Sequence, residues 1–242
     1  MAGAWNLLKR MGLKKIDDLK DSYQKSTRER IDKDLPLGIR IKGIVEIPQV
    51  DFILAGEGLK IRHPGEGNVV VSYGAFPVGG SMTHRFYLNA ADAVYMLQIV
   101  TDRNRTIEEC KLFMPYDEVY PQDWDFWLSD KEGYIGYEIF RTKDGVEYYR
   151  VWDNEEGKVV VEQDDQGNQI TRIPPFEYME TVYLSPYGDE TETVKYDSML
   201  YGRHVNENAD EYLLLSAVNE KEGASVQILV GIELQPSSIK VI

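Results

Sequence analysis

Cysteine and histidine are scarce in this sequence. Cys110 is the only cysteine, so no disulfide can form within the chain and no cysteine-based zinc site can be built. Its surroundings, ECKLF, predict a small buried residue, because a reactive thiol needs a nearby base and a lowered pKa. His63, His84 and His204 show no HxxH or HExxH spacing, so we predict no metal site and no bound cofactor.

Long apolar runs are also missing. AVYMLQIV and YLLLSAV have the length of buried strands and fall well short of the ~20 residues that a membrane-spanning helix needs. At the N-terminus, Lys9 and Arg10 follow a short LL pair, without the apolar region and cleavage site of a secretory signal. We therefore expect a soluble cytoplasmic protein.

Positive charge is scarce everywhere except at the N-terminus. Residues 1–33 hold nine Lys and Arg against five Asp and Glu, whereas the remainder holds 18 against 36. An acidic body repels phosphate backbones, because affinity for nucleic acid comes largely from cationic neutralisation. The sequence thus argues against DNA or RNA as a partner.

Residues 1–33 show the one convincing helical pattern and are predicted to form a basic amphipathic helix or arm. One interpretation is contact with a protein partner or with an anionic membrane surface, which would place the protein peripherally at the inner membrane. The favoured interpretation is a helix that docks on its own acidic body, or a partly disordered arm. The residues proposed for partner or membrane contact are Trp5, Leu8, Lys9, Arg10, Lys14 and Lys15.

From Leu35 onward the pattern changes to a period of two. LGIRIKGIVEI, VDFILAG, LKIRH, NVVVSYGAF and HRFYLN are separated by Gly, Pro and Asn and are predicted to be strands. AADAVYMLQIVTD fits a helix or a buried strand, and its β-branched and aromatic content favours a strand. Pro121, followed by Asp123, Asp125 and closely spaced tryptophans, predicts a short helix near 121–128.

Turn-forming clusters recur between Ser129 and Ile173 as DKEG, TKDG, DNEEG and DDQGN. The runs between them are rich in β-branched and aromatic residues, which predicts an antiparallel meander. EYLLLSAV and SVQILVGIEL then predict a final hairpin. The predicted fold is mainly β, α+β at most, with antiparallel meanders in two packed β-rich lobes at 34–128 and 129–242.

No catalytic motif is present. The nucleophile-elbow and phosphate-loop patterns do not occur, and the glycines of PVGGSMTHR predict a hairpin tip instead. The carboxylates between Asp117 and Asp130 match no calcium loop. We interpret those carboxylates as helix caps and solubilising groups. The competing hypothesis is a hydrolase-like enzyme whose site assembles histidines with carboxylates, and its candidate residues are His84, His204, Asp117, Asp123 and Asp125.

Aromatic residues are abundant and leave a third hypothesis open. Sixteen Tyr and four Trp could build a carbohydrate- or peptide-binding β surface. Tyr137, Tyr149 and Trp152 are the candidates for such a platform, although core packing explains aromatic strand residues more often.

Several strings together resemble the YjfK-like family of uncharacterised bacterial proteins from about Leu35 onward. They are IEECKLFMPYDEVYP, WDFWL, GYIGYEIFRTKDGVEYYRVW, YDSMLYGR, and EYLLLSAV followed by VGIEL. The resemblance implies a bacterial cytosolic protein without an assigned activity, and it supplies no functional residues. It also implies an accessory role in envelope stress, because such proteins occur alongside phage-shock-type membrane-remodelling proteins and small membrane proteins.

These observations favour a non-enzymatic interaction or adaptor module near the inner face of a bacterial membrane. We expect a protein partner.

Overall fold

The structure, a computed structural model, describes residues 28–129, 133–220 and 223–242. Strands make up 52% of the described residues, and two short helices accompany them. The predicted mainly β fold is therefore confirmed. Among the described residues, no helix has both the length and the apolar character required to cross a membrane.

Fourteen strands occur in the described residues, and neighbouring strands are antiparallel. They are β1 (Ile44–Glu46), β2 (Asn68–Val78), β3 (Ser81–Asn89), β4 (Val94–Thr101), β5 (Ile107–Val119), β6 (Ile139–Arg141), β7 (Glu147–Arg150), β8 (Val159–Gln163), β9 (Gln169–Arg172), β10 (Phe176–Tyr183), β11 (Thr191–Asn206), β12 (Ala209–Glu220), β13 (Gly223–Glu233) and β14 (Lys240–Val241).

The two helices are α1 (Val50–Ala55) and α2 (Asp125–Leu128). Helix α2 confirms the predicted short helix, and Asp123 Oδ1 accepts a hydrogen bond from the backbone N–H of Asp125 at 3.0 Å. Helix α1 corrects the prediction of a strand for VDFILAG. A short apolar run fits either structure, and Gly56, with a φ of 69°, ends the helix in a backbone conformation that suits glycine.

The predicted N-terminal helix lies mostly outside the described residues. Residues 28–33, its predicted C-terminal end, contain a turn and no helix. Arg28 pairs with Asp189 at 3.2 Å, and the backbone N–H of Ile31 donates to the carbonyl oxygen of Pro186 at 2.9 Å. These contacts fasten the start of the described chain to the loop between β10 and β11.

Eight strands close into a barrel in the order β2, β3, β4, β5, β13, β12, β11 and β10, with β10 pairing back to β2. A two-residue turn at Gly79 and Gly80, with φ of 56° and 103°, joins β2 to β3 and confirms the predicted hairpin tip. Strands β1 and β14 extend the sheet beyond β2, and β7 and β6 extend it beyond β11.

Strands of the two predicted lobes form this one closed sheet. Ala75 of β2 pairs with Thr181 of β10, and Met114 of β5 pairs with Val230 of β13. The predicted boundary between 128 and 129 therefore does not separate two sheets. Alternation of apolar residues identifies strands, but it does not identify the strand with which each one pairs.

The predicted meander between Ser129 and Ile173 consists of two hairpins. Strands β6 and β7 join the barrel sheet through β11, whereas β8 and β9 form a separate two-stranded sheet. The turns at Gly145 and Gly167, with φ of 83° and 84°, connect the strands of each hairpin, as their Asp and Gly content predicts.

Both faces of the barrel wall carry buried side chains. The outer face packs against the segment from Leu35 to Ile61 and against the region around α2 and β7. The inner face holds a second apolar cluster together with buried polar groups. The largest apolar side chains of the inner cluster are Phe76, Tyr87, Met96, Phe113, Tyr178, Tyr196, Leu200, Leu214 and Leu229.

Candidate functional site

A cavity of about 610 Å³ opens at the mouth of the barrel, and we call it the mouth cavity. Its size falls in the range of small-ligand sites, which often lie in the mouths of barrels. One wall comes from β2, β3, β4 and β5, and the other from the loop 151–157 and the segment 173–177. Most of its lining is apolar, with Phe76, Trp152 and Phe176 as the aromatic residues.

The aromatic rings form a connected series from the cavity into the barrel. The Trp152 and Phe176 rings meet edge to face with centroids 6.1 Å apart, and Phe176 stacks on Tyr178 at 5.7 Å. Phe76 stacks on Tyr178 at 4.0 Å. Phe176 remains 38% exposed, so a large apolar side chain stands at the opening of the cavity.

Gln98, on β4, joins the cavity to a buried polar network. Its side-chain carbonyl oxygen accepts a hydrogen bond from Arg85 Nε at 3.0 Å, which leaves the amide NH₂ as the group able to donate to a ligand. Arg85 also donates to Glu180 at 2.8 Å and to the Tyr178 hydroxyl at 2.8 Å. Tyr87 donates to the second carboxylate oxygen of Glu180 at 2.7 Å. The polar side chains of this network are therefore hydrogen-bonded to one another.

Three carboxylates, and no Lys or Arg, lie among the residues that line the cavity. They are Glu109, Asp153 and Glu177, and each has a cation nearby outside the lining. Glu177 pairs with Lys195 at 2.6 Å, and Asp153 lies 3.8 Å from Arg150. Each of the three lining carboxylates is thus paired with a Lys or Arg that does not belong to the lining.

Ser81 and Thr83 contribute hydroxyl groups to the lining of the mouth cavity. Ser81, a hydroxyl residue of the lining, donates to Glu108 at 2.9 Å, and no histidine belongs to the lining. A hydroxyl nucleophile needs an adjacent base to accept its proton. In the part of the chain that the structure describes, no three His, Cys, Asp or Glu side chains come together as a possible metal site.

His84 lies on β3, away from the mouth cavity. The Tyr73 hydroxyl oxygen lies 2.7 Å from His84 Nδ1, and Thr101 Oγ1 lies 3.3 Å from Nε2. Burial, with a smaller contribution from the nearby charge of Arg105, lowers the pKa of His84 to about 4. The ring is therefore neutral at pH 7 and is held by two hydroxyl groups.

His204 lies near the end of β11, where it pairs with Asp210 and lines a surface groove of about 830 Å³. Its side chain is 90% exposed. Three further carboxylates of the groove belong to Asp51, Glu207 and Glu233. Because Asp51 is partly buried, its pKa is raised from the ordinary value.

The predicted carboxylates do not join either histidine. Asp117 pairs with Lys143 at 2.9 Å, Asp123 caps α2, and Asp125 is the first residue of that helix. None of these three lines the mouth cavity or the groove at His204. The structure thus pairs neither histidine with any of the three carboxylates of the proposed enzyme site.

The other predicted candidates have mixed outcomes. Trp5, Leu8, Lys9, Arg10, Lys14 and Lys15 lie outside the described residues. Trp152 lines the mouth cavity, whereas Tyr149 is 56% exposed and belongs to β7. The prediction for Cys110 is confirmed, because the thiol is buried and burial raises its pKa to about 12.

Sequence reasoning missed Phe76 and Phe176 as site residues. Each lies in a strand whose composition explains an aromatic residue equally well by core packing. The pair Pro174 and Pro175, directly before Phe176, is the one local signal, because it marks a strand that begins in an extended segment.

Comparison with known proteins gives a family but no activity. Residues 12–240 match the family described as "Protein of unknown function (DUF2491)". No curated protein and no solved structure matches the chain. Because the match extends over nearly the whole sequence, this chain belongs to that family of proteins of unknown function.

Proposed function

We propose that this protein is a non-enzymatic interaction module that binds an apolar segment of a protein partner in the mouth cavity. The observation that carries the proposal is the cavity itself, a largely apolar space of about 610 Å³ with Phe76, Trp152 and Phe176 in its lining. Aromatic side chains dominate the energetics of interfaces, because each buries a large area at a small cost in conformational entropy.

A peptide fits this lining better than a carbohydrate. Sugar sites present exposed rings to the faces of pyranoses, whereas Phe76 and Phe176 are engaged with Tyr178. The polar groups of the lining, which include Thr83, Gln98 and Asn154, supply separate donors and acceptors around an apolar centre. Apolar side chains of a peptide would fill the centre while its backbone meets these groups.

The finer assignment, an adaptor at the inner membrane that serves the response to envelope stress, remains a prediction. It rests on the resemblance to YjfK-like proteins and on the basic sequence of residues 1–33. The mouth cavity supports it to the extent that an adaptor needs a site for a second protein. The proposal for the cavity stands independently of the N-terminal segment.

Binding of N-phenylnaphthylamine, an uncharged fluorophore that brightens in apolar surroundings, tests the cavity. We expect saturable binding with one site per chain, and Phe176→Ala should weaken it at least about fivefold, since a lost aromatic contact costs on the order of 1 kcal/mol. Fluorescence titration measures both affinities. Phe176 is partly exposed, so its truncation should leave the fold intact.

Phe126→Ala is the matched control, because Phe126 is 56% exposed and lies on α2 outside the mouth cavity. This variant should bind the fluorophore as the unaltered protein does. Equal weakening in both variants, or no saturable binding by the unaltered protein, would contradict the proposal.

A further inference from the structure

Beside the mouth cavity, the backbone pairing between β2 and β10, which closes the barrel, is incomplete. Strands β2 and β10 pair at Tyr73 with Tyr183, Gly74 with Val182, and Ala75 with Thr181. The same register would next place Phe76 opposite Glu180 and Pro77 opposite Met179, but the structure does not pair them. We call the unpaired stretch of β10, Phe176 to Glu180, the open edge.

Proline explains part of this gap. Pro77 has no backbone N–H, so β2 cannot continue a regular ladder through that residue. The pairing of β2 with β3 nevertheless continues through Pro77 to Val78. Strand β2 therefore stays in the barrel wall and loses backbone pairing only with β10, while the Phe76 ring still stacks on Tyr178.

The start of the open edge reaches the mouth cavity, because Phe176 and Glu177 belong to its lining. Along this stretch β10 pairs with β11 on one side, from Phe176 with Ser198 to Glu180 with Val194. In an antiparallel strand, alternate residues direct their N–H and C=O groups to the opposite side. No strand occupies that side of the open edge within the described part of the chain. Unpaired strand edges are templates for the addition of another strand.

Side chains at the open edge add specific contacts to the hydrogen bonds that its backbone could make. Phe176 and Glu177 line the mouth cavity, and Met179 is 61% exposed on the outer face. A strand laid along the open edge would direct every second side chain towards Phe76, Trp152 and Phe176. Its other side chains would point outward, past Met179.

The negative charge of the protein determines which peptides are attracted to the mouth cavity. The cavity lining contains Glu109, Asp153 and Glu177 but no Lys or Arg, and each of these carboxylates has one cationic partner outside the lining. The chain beyond residue 33 as a whole holds 36 Asp and Glu against 18 Lys and Arg. Long-range attraction therefore favours a cationic ligand and opposes an anionic one.

We infer that an extended peptide with alternating apolar and basic side chains binds by strand addition to the open edge of β10. This inference rests on the proposed function and specifies the partner and the mode of recognition. Strand addition gains affinity from backbone hydrogen bonds and specificity from pockets for alternate side chains. The open edge supplies the backbone groups for hydrogen bonds, and the mouth cavity supplies the pocket for alternate side chains.

A fluorescein-labelled octapeptide of alternating Val and Lys is the probe, and fluorescence anisotropy gives its affinity for the full chain. Two further peptides carry N-methyl groups on the backbone of either the Val or the Lys residues. Pairing with one edge uses the N–H groups of one of these sets, so one peptide should lose at least about tenfold in affinity while the other stays within about threefold. Equal affinities of the two methylated peptides, whether both retained or both lost, would overturn the assignment to a single open edge.

Two more measurements test the charge preference of the site and the location of the bound peptide. The peptide of alternating Val and Glu should bind at least about tenfold more weakly than the Val and Lys peptide, because the lining is acidic. Bound Val and Lys peptide should slow amide hydrogen exchange at alternate residues between Phe176 and Glu180. Protection elsewhere in the barrel, or equal binding of the acidic peptide, would overturn the inference.

Failure of this mode is distinguishable from failure of the proposed function. If N-phenylnaphthylamine binds and Phe176→Ala weakens it, but the two methylated peptides behave alike, the mouth cavity remains a binding site and strand addition is wrong. If neither the fluorophore nor the peptide binds, both proposals are wrong.

Discussion

Arg85 and Glu180 lie inside the barrel with 2% and 0% of their surfaces exposed. Removing two charges from water costs several kcal/mol each, and the cost is offset only when the remaining donors and acceptors are satisfied. Here Tyr87, Tyr178 and Gln98 complete the network. The guanidinium also lies over aromatic rings, with its central carbon 4.8 Å from the ring centroid of Phe76.

Gly74 makes room for this ion pair. A Cβ at that position would stand 1.7 Å from the Oε1 atom of Glu180, so the buried carboxylate would have to move away from its present partners. The glycine thus serves close approach and not a turn. Sequence alone shows a glycine within an apolar strand, and the carboxylate that requires it lies more than a hundred positions away.

Glu180→Gln should destabilise the protein by about 3 kcal/mol, because it keeps the side-chain shape and leaves the buried charge of Arg85 without a counter-ion. Urea unfolding followed by tryptophan fluorescence measures the change. Glu177→Gln, on the same strand, is the control, since Glu177 is exposed and its partner Lys195 is at the surface. Its unfolding midpoint should not move beyond experimental error. Similar midpoints for the two variants would mean that Arg85 does not depend on Glu180.

Among the pairs of neighbouring strands in the barrel, β2 and β10 share the fewest paired residues. This closing joint of the barrel has three registered pairs, whereas β10 and β11 share eight and β12 and β13 share ten. Fewer backbone hydrogen bonds hold these two strands together, because their pairing ends at Ala75 and Thr181. The closing joint should therefore be the first part of the barrel to open.

Native-state amide exchange followed by NMR tests this order. The amides that bond across the joint, within Tyr73–Ala75 and Thr181–Tyr183, should exchange at least about tenfold faster than those of Leu213–Leu215 in β12, a difference of about 1.4 kcal/mol in opening free energy. Leu213–Leu215 is the internal reference, because β12 pairs on both sides. Uniform protection around the barrel would contradict a weak joint.

Several elements could be predicted from local signals. The hairpin turn at Gly79 and Gly80 and the short helix α2 depend on neighbouring residues alone, and both were predicted. Helix α1 was predicted as a strand, since five of its six residues are apolar over a length that suits either structure. Tertiary packing decides such cases, because Ala55 is buried while Ile53 and Leu54 remain exposed.

Twelve of the fourteen strands in the described residues form one sheet, which includes strands from both predicted lobes. Pairs between β5 and β13, between β2 and β10, and between β1 and β14 join the first half of the chain to the second. Separation of the halves would expose all of these edges at once. Neither half can complete a barrel alone.

Expressed separately, residues 34–128 and residues 129–242 should each lack a cooperative unfolding transition, because each loses its partner strands. Near-ultraviolet circular dichroism and thermal unfolding measure this, with the full chain as the reference. Mixing the two fragments should restore part of the native signal. Cooperative unfolding of either fragment alone would show that the lobes are independent.

The mouth cavity is formed by contacts between residues far apart in the sequence, whereas single strands follow mainly from local patterns. Phe76, Trp152 and Phe176 are separated by many residues and meet because β2, β10 and the loop after β7 converge at one end of the barrel. The five residues of the proposed enzyme site were chosen by chemical type, and the fold pairs neither histidine with any of the three carboxylates. A list of suitable side chains contains no information on which of them will be neighbours.

The sequence by itself determined the class of fold, the acidic body and the burial of Cys110, because these follow from composition and from the period of apolar residues. Only the tertiary structure decided that two predicted lobes are one barrel, that its last joint is incomplete and that a cavity lies beside it. Strand partners and cavities arise from contacts between distant residues, and local periodicity does not encode those contacts.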